Sequence, residues 1–512
     1  MGIGTSGGGV AARRFHEATK HSPESVRSGG HRLDWRNKPN PFKVYDERQV
    51  VELPRPVAVP GVTAMEALER MPSAETATPL DIRGLARLLT FGAGVLRRLT
   101  YEDGETFHFR TYASAGALYP VEIYVVNDAI DGVDAGIYHF DPLGYRLIRL
   151  RAGDHRGLVA ESAGREEAVM TSPVMFVLTG IPWRTAWKYT ERGYRHLYWD
   201  AGMILANVLA LAASSAWPAR VVLGFVDSDL CALLGIDGKR EFPLCVVTLG
   251  SGAPAAPPGE TVTRTSLPTL PLSRREMEFD AIEDVNEASS LATTDELRTW
   301  RSRFAGAIQE RERDPPKASA GEGAGPEDLL EEVIRRRGSA RFFGRAAMPV
   351  AALRRTLHAA TQPIMSDYAP RGSRLVEPYL IANTVDGLPS GAHVYRDGDF
   401  VLLREGNFRR EAGHLCLEQR LGADAAATMF LMTDLDLVLS SAGDRGYRVA
   451  QLEGGIVGGR IYLGAYADRF GATGLTFYDD LVTEFFSPDA AGKSCVLVVA
   501  VGESPRLTRR TR

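Results

Sequence analysis

Two adjacent titratable side chains, Lys188 and Tyr189, could together remove a proton from a substrate. A tyrosine has an ordinary pKa of about 10, so it acts as a base at neutral pH only where a nearby cation stabilises its phenolate. Lys188 could be that cation, or it could be the base itself if burial lowers its own pKa. Consecutive residues on a helix do not face each other, so we expect the pair in a loop or at a helix start.

A second group of side chains, Arg337, Ser339 and Arg341, has the chemistry of a phosphate site. A phosphate needs cations and free backbone N–H groups, and these residues beside a predicted helix start would supply both. The alternative is a solvated basic helix end, because charge clusters such as RRRGSAR are common on protein surfaces.

The stretch RTYASAGALYP, residues 110–120, combines small residues with an apolar end. Ser114, Ala115, Gly116 and Ala117 carry little side chain, so their backbone could lie against a flat ring system, and Ser114 could hydrogen-bond the ring's polar edge. The alternative is tight packing of two stretches of backbone. We predict a turn that precedes a strand.

The chain repeats itself, and the repeat defines its architecture. The stretch that begins at Tyr124 matches the stretch that begins at Tyr379, 255 residues later, and ERGYR at Glu191 matches DRGYR at Asp444. The apolar runs 174–180 and 428–434 correspond, as do 244–250 and 495–502, and all four are of strand type. We therefore predict two homologous α+β domains.

The predicted organisation is an N-terminal extension (1–60), a first domain (61–255), a connector (256–325) and a second domain (326–506). The connector is rich in Pro, Gly and charge, with one candidate helix around TTDELRTWRSRFAGAI. Two homologous domains in one chain most simply pack as an internal pseudo-dimer.

Residues repeated in both halves receive structural roles. We expect Arg192 and Arg195 to order the loop before the long helix of the first half. In the second half, the corresponding helix is rich in glycine, which costs helix propensity and favours close helix contact at the pseudo-dimer interface. These glycines are Gly454, Gly455, Gly458 and Gly459.

Composition excludes several classes of function. The 512 residues carry a net charge of -4, with 44% hydrophobic and 24% charged residues, so there is no broad basic field for nucleic acid. No apolar segment has the length of a membrane span or a signal peptide, and we expect a cytoplasmic protein. The cysteines are too far apart for a zinc site or a disulfide framework, so we expect buried thiols and no metal.

At this point the motifs resemble a known family. EEVIRRRGSARFFGRAAMPVAALRRTLHAA is similar to the first two helices of flavin-dependent nitroreductases, which carry Arg-x-Ser-x-Arg. SAGALYP and KYTERGYRHLYWDAG in the first half resemble the SagB-type dehydrogenases, the azoline oxidases of thiazole and oxazole peptide biosynthesis. The resemblance covers most of the chain outside the connector.

The resemblance implies a fold, a cofactor and a reaction. Each half would have a central, mostly antiparallel sheet flanked by helices, and the chain would bind FMN. The substrate would be a thiazoline or oxazoline in a peptide or carrier-bound intermediate, with Lys188 and Tyr189 as catalytic residues. A cyclase partner and a higher oligomer are open alternatives. The implied FMN-binding residues are Arg110, Ser114, Ala115, Gly116, Arg337, Ser339, Arg341 and Lys493.

The two halves differ at these positions. The second half keeps the arginine cluster, but its turn contains Arg371 and Arg374. The first half keeps the turn, while its opening helix retains only Arg70 and Ser73. In nitroreductase dimers one subunit supplies the cluster and the other the turn, so we predict one composite FMN site per chain.

Alternatives to this interpretation remain open. Two sites are possible, because both halves keep basic residues near the final strand: Lys239 and Arg240 in the first half and Lys493 in the second. Two other functions are also compatible with the sequence: an NAD(P)H-dependent nitro- or quinone reductase, and a catalytically silent scaffold that binds a peptide or a partner.

Overall fold

The computed structural model describes residues 8–46, 48–59, 61–70, 79–100, 104, 106–253, 262, 267–309, 326–369 and 371–508. Ser73 and the parts 256–261, 263–266 and 310–325 of the predicted connector lie outside these residues.

The first half alternates helices with short strands. Its helices are α1 Val10–Ala18, α2 Pro23–Ser28, α3 Ala64–Glu69, α4 Ile82–Ala93, α5 Arg156–Ser162, α6 Glu167–Thr171, α7 Pro182–Tyr189, α8 Gly193–Ser214 and α9 Asp227–Leu234. Its strands are β1 Val50–Glu52, β2 Val95–Thr100, β3 Thr106–Arg110, β4 Val121–Asn127, β5 Gly136–Asp141, β6 Arg146–Ala152, β7 Val174–Gly180, β8 Ala219–Val222 and β9 Phe242–Leu249.

The connector and the second half continue in the same style. Their helices are α10 Asp280–Ala288, α11 Thr294–Gln309, α12 Leu330–Arg336, α13 Val350–Ala360, α14 Arg409–Leu415, α15 Arg420–Asp424, α16 Leu435–Ala442, α17 Arg445–Ala467, α18 Asp479–Phe486 and α19 Pro505–Thr508. Their strands are β10 Met348–Pro349, β11 Glu377–Ala382, β12 Val385–Asp386, β13 Gly391–Arg396, β14 Asp399–Glu405, β15 Ala427–Thr433, β16 Gly471–Leu475 and β17 Ser494–Gly502.

Each half builds one large antiparallel sheet, and six strands follow the same order in both. The first sheet runs β1-β6-β5-β4-β7-β9-β8, with β1 as an additional edge strand, and the second runs β14-β13-β11-β15-β17-β16. Two small sheets, β2-β3 and β10-β12, lie outside them. The register between the corresponding neighbouring strands agrees as well, since Tyr124 lies opposite His139 and Tyr379 lies opposite Val394, each residue 255 positions later. The predicted strand runs are β7, β15, β9 and β17, and every residue of β7 and β9 is buried, which explains their continuous apolar sequence. The predicted tandem α+β fold is confirmed.

The long helices α8 and α17 pack against each other between the two halves. A Cβ atom built on Gly455 would lie 2.5 Å from the Trp199 carbonyl oxygen, and one on Gly459 would lie 2.5 Å from the Ala206 Cβ. The predicted close contact is therefore confirmed at these two glycines. Gly454 instead faces side chains of β17 in its own half, and Gly458 faces both Leu497 of β17 and Met203 of α8.

The repeated arginines join the halves, so the expectation that they order their own loop is wrong. Arg192 and Arg195 both bind the Asp479 carboxylate at the start of α18, at 2.9 and 2.7 Å. In the equivalent arrangement with the two halves exchanged, Arg445 and Arg448 bind Asp227 at the start of α9, at 2.7 and 2.6 Å. All these side chains are almost fully buried, and each carboxylate neutralises cations from the opposite half.

The helices α1 and α10 are also equivalent. The backbone N–H of His21, after α1, donates to Asp479 at 2.8 Å, and that of Leu291, after α10, donates to Asp227 at 3.0 Å. Each helix therefore packs on the opposite half. The duplicated unit includes a helix that the predicted boundaries at 61 and 326 leave out.

The expectation that no apolar segment has the length of a membrane span is wrong: the stretch Pro182–Ser214 is long and apolar enough to cross a membrane, but 94% of its most apolar part is buried inside the protein. Its polar residue Asn207 donates to the carbonyls of Phe91 and Thr111 at 3.1 and 3.0 Å. The stretch therefore has the environment of a core helix. The four cysteines are buried thiols outside any disulfide, as predicted.

Candidate active site

The small-residue turn lies directly against the Lys188–Tyr189 pair. A Cβ atom built on Gly116 would lie 3.2 Å from the Lys188 Nζ and 3.1 Å from the Tyr189 hydroxyl. Gly116 has a φ of 62°, a left-handed conformation that favours glycine. Both polar groups therefore meet over one backbone position that has no side chain of its own.

The pair occupies the last two positions of α7, so the expectation of a loop or a helix start is wrong. The following residue, Thr190, has a φ of 49° and a ψ of -138°, so the chain leaves the helix abruptly. This break lets two consecutive side chains bring their polar ends to the same place. The Lys188 ammonium lies 5.3 Å from the centre of the Tyr189 ring.

The environment shifts the two groups in opposite directions. Burial lowers the pKa of Lys188, and the positive charges of Arg341 and Lys38 lower it further. Burial also raises the pKa of the Tyr189 hydroxyl, with a smaller contribution from the Asp200 carboxylate. Both shifts favour neutral side chains, an amine on Lys188 and a phenol on Tyr189.

Asp200, a residue that the sequence analysis missed, fixes the small-residue turn through hydrogen bonds. Its carboxylate accepts hydrogen bonds from the Ser114 hydroxyl and from the Ala115 N–H at 3.3 Å. Burial raises the pKa of Asp200 to about 7, against the opposing effect of these hydrogen bonds. The repeat contained a signal for this residue, because Glu453 is acidic at the equivalent position of α17.

His196 is a second functional candidate that the sequence analysis missed, and unlike Asp200 it had no signal in the sequence. Its ring stacks on the Tyr189 ring, with centroids 4.2 Å apart and an angle of 11° between the planes. Burial lowers the pKa of His196 strongly, and the charge of Arg192 adds to the effect, so the ring is neutral. The stacking fixes the orientation of the phenol that faces Gly116.

The second half supplies the arginine cluster across the interface. The Arg337 guanidinium donates to the backbone carbonyls of Thr111 and Arg110, both at 3.1 Å, immediately before the small-residue turn. Ser339 lies beside it, with its hydroxyl 3.3 Å from that of Tyr462. Ser339 and Arg341 are exposed, and the charge of Arg341 reaches Lys188. The turn of the first half and the arginine cluster of the second half therefore lie next to each other.

The cluster does not begin a helix as predicted. It follows the C-terminal end of α12, whose last residue is Arg336, and precedes α13. A helix C-terminus carries a partial negative charge, so an anion here depends on the side chains of Arg337, Ser339 and Arg341. The exposed side chains of Ser339 and Arg341, beside the second cation Arg337, fit a phosphate group.

Two further predicted FMN ligands have other partners. The Arg110 guanidinium is buried against the rings of Phe42 and Tyr119 and donates to the Pro41 carbonyl at 2.7 Å, so at this junction Arg110 offers its carbonyl. Likewise, the Ser114 hydroxyl faces Asp200.

Lys493 is not brought to the cluster. It immediately precedes β17 and binds Glu377 and Tyr379 of its own half. The cluster lies toward the other end of this strand: Ala340 donates to the Ala472 carbonyl, and Ala472 pairs with Val501. Eight residues of strand span roughly 26 Å.

In the second half, the region that corresponds to the small-residue turn and the Lys188–Tyr189 pair is filled by side chains of α11. Phe304 stacks on Tyr368, with centroids 5.3 Å apart, and Trp300 packs against the same ring. The Tyr368 hydroxyl donates to Glu453 at 2.7 Å. All three aromatic side chains are buried. Protein side chains therefore occupy the region against the second turn.

The sequence profile of the Nitroreductase family matches residues 76–251. A nitroreductase-type protein of Methanocaldococcus jannaschii is 30% identical over 173 residues, which are 34% of this chain and 82% of that protein. The microcin B17-processing protein McbC of Escherichia coli is 27% identical over 146 residues, 28% of this chain and 54% of McbC.

Among solved structures, a nitroreductase-type protein from Anabaena variabilis superposes over both halves. Its TM-score is 0.76 at 25% identity, and the match covers 96% of this chain and 99% of that one. A tandem arrangement like this one is therefore found in a second protein. Taken with the identity to the Methanocaldococcus protein over most of its length, these findings show that the chain belongs to the nitroreductase family.

Proposed function

We propose that the protein is an FMN-dependent dehydrogenase that aromatises thiazoline or oxazoline rings in a peptide natural product. The observation that carries the proposal is the meeting of Lys188 and Tyr189 over Gly116, opposite the arginine cluster of the other half. The resemblance of KYTERGYRHLYWDAG to SagB-type dehydrogenases and the match to a microcin B17-processing protein support the substrate class.

Aromatisation removes a hydride from one ring carbon and a proton from its neighbour. Bound FMN supplies the hydride acceptor at N5. Because its pKa is lowered, Lys188 is the better base: its neutral amine takes the proton and becomes an ammonium. Tyr189, whose pKa is raised, stays protonated and positions the ring by donating a hydrogen bond. The sequence leaves two roles open for Lys188, the cation that stabilises a tyrosinate and the base itself. These two pKa shifts favour the base.

The proposed FMN site is composite. Arg337, Ser339 and Arg341 would hold the phosphate, and the backbone at Ala115 and Gly116 would lie against the ring system. The exposed side chains of Ser339 and Arg341 and the absence of a Cβ at Gly116 support this placement. Lys493 fits it poorly because it is held by Glu377.

The experiment is an anaerobic single turnover of a thiazoline peptide with Lys188→Ala and Tyr189→Phe. Flavin bleaching and thiazole absorbance are recorded together, so hydride and proton loss are followed in one reaction. Removal of a general base typically costs about 10²–10⁴-fold in rate. We expect Lys188→Ala to lose that much with its flavin content unchanged, and Tyr189→Phe to lose less.

Arg165→Ala is the control, because Arg165 is an exposed cation of the same half that pairs with Glu161 and has no part in the proposed site. If Lys188→Ala turns over at the control rate, Lys188 is not the base. If neither the wild type nor any variant forms thiazole, while NAD(P)H bleaches the flavin and a nitroarene is reduced, the protein is a nitroreductase by activity. A protein that binds no FMN would be the scaffold.

A further inference from the structure

A groove runs along the outer side of α7, the helix that carries Lys188 and Tyr189. It encloses about 550 Å³, which is within the range of small-ligand and peptide pockets. Its floor contains the indole rings of Trp183 and Trp187, and Met277 and Phe279 add apolar surface. Its walls are the segments 31–37 and 274–279.

Hydrogen bonds hold the groove in shape. The Trp187 indole N–H donates to the Asp34 carbonyl at 3.0 Å, and the Trp183 indole N–H donates to the Ser273 hydroxyl at 2.9 Å. The two walls are joined where the Asn37 side-chain amide donates to the Arg275 carbonyl at 2.8 Å. A preformed groove loses little conformational entropy when a ligand binds.

The groove is basic although the chain is acidic. Four exposed arginines line it, and Asp34 is the one carboxylate among the described lining residues. Glu276 and Glu278 of the second wall line the adjoining cleft beside Arg240. That carboxylate already accepts the backbone N–H of Arg36 at 3.1 Å. In a chain with a net charge of -4, this concentration of guanidinium groups suits carboxylates on a ligand. The four arginines are Arg32, Arg36, Arg274 and Arg275.

The groove leads to the catalytic pair. Trp187 precedes Lys188 directly, and the His31 ring hydrogen-bonds the Trp187 carbonyl at 2.8 Å. Lys38, the residue after the first wall, lies over the rings of Trp35 and Phe107, and its charge acts on Lys188. A chain lying in the groove would therefore continue toward the proposed reaction centre.

We propose that this groove binds an acidic segment of the peptide substrate that flanks the ring to be oxidised. Aromatic and aliphatic side chains of the peptide would pack on Met277 and Phe279 above the buried indole rings, and its aspartates or glutamates would pair with the arginines. This inference rests on the proposed function, because it assigns the flanking sequence of the same substrate.

The test is fluorescence anisotropy of a labelled ten-residue peptide that carries a thiazole and two flanking glutamates. The ring is already aromatic, so binding requires no turnover and is measured on FMN-loaded full-length protein. We expect roughly tenfold weaker binding for Arg274→Gln/Arg275→Gln, and similarly weak binding of a glutamine peptide to the wild type. Arg420→Gln, at a side chain 91% exposed on α15, is the matched control.

The outcomes separate this inference from the proposed function. Equal binding of the glutamate and glutamine peptides, or unchanged binding by the double variant, would overturn it. Binding of a phosphopantetheinylated carrier protein in place of the acidic peptide would also overturn it. If Lys188→Ala binds the glutamate peptide as the wild type does while the wild type fails to oxidise an azoline, the groove stands and the proposed reaction falls.

Discussion

At the scale of single residues, Asp200 connects the turn to the protein's response to pH. It is buried behind Ser114 and Ala115, and its pKa in the folded protein is raised to about 7, whereas an unfolded aspartate titrates at about 3.9. The folded protein therefore binds this proton more tightly than the unfolded chain. The contribution of Asp200 favours folding below pH 4 and is lost as the pH rises to about 7.

We therefore predict that Asp200→Asn becomes increasingly more stable than the wild type as the pH rises from 5 to 7. The difference between variant and wild type should grow in favour of the variant by at most about 1.4 kcal/mol per pH unit. Denaturant titrations at pH 5, 6, 7 and 8 measure it. Asparagine preserves the shape, with its carbonyl facing the Ala115 N–H and its amide facing Ser114.

The comparison with the wild type isolates this aspartate from buried histidines that act in the opposite direction. Burial lowers the pKa of His21 to about 4, so its contribution to stability rises with pH and is shared by both proteins. Asp295→Asn, at a side chain 88% exposed, is the control and should give a flat difference. A flat difference for Asp200→Asn as well would mean that Asp200 is ionised throughout this range.

At the scale of elements, the contact between α8 and α17 depends on glycine. A Cβ at Gly455 would lie 2.5 Å from the Trp199 carbonyl oxygen, so one of the helices would have to move. We predict that Gly455→Ala lowers the free energy of unfolding by about 1–3 kcal/mol, the usual cost of overpacking. Chemical denaturation measures this directly.

Gly306→Ala is the contrasting control for this prediction. A Cβ at Gly306 meets nothing within 4 Å, and the residue lies inside α11. Alanine there should leave the stability unchanged or raise it by up to about 1 kcal/mol, because glycine weakens helices. Equal effects of the two substitutions would contradict close packing as the reason for Gly455.

The elements also show how far sequence can lead. The strands β7 and β9 could be predicted because both faces are buried, which leaves an uninterrupted apolar run. The equivalence of α1 and α10 could not, because their similarity is confined to a few positions such as Glu17 and Glu287. These short helices owe their position to contacts with the opposite half, which local sequence does not encode.

The same distinction holds in the candidate site. Lys188, Gly116 and Arg337 could be selected from residue type and resemblance, and the structure brings them together. The partners of Ser114 and Lys493 could not be predicted, because Asp200 and Glu377 lie far away in sequence and compete for them. The position of Lys188 at a helix end depends on one backbone angle at Thr190.

At the scale of the whole molecule, the two halves have diverged within a shared frame. Paired ion clusters at Asp227 and Asp479 keep the pseudo-twofold arrangement. Beside one turn lie Lys188 and the arginine cluster, while beside the other lie Trp300 and Phe304. Duplication therefore leaves room for one half-site to gain a structural role while the other keeps its chemistry.

This divergence predicts one FMN per chain. Arg341→Gln should weaken FMN binding at least tenfold, because it removes an exposed cation from the proposed phosphate site. Arg70→Gln, at the arginine that remains in the first half, should leave FMN binding unchanged, because Trp300 and Phe304 pack against Tyr368 beside the second turn. Fluorescence titration with FMN and quantification of released flavin measure both quantities. Two FMN per chain, or equal losses in the two variants, would show that both half-sites bind, and the divergence between the halves would then have another cause.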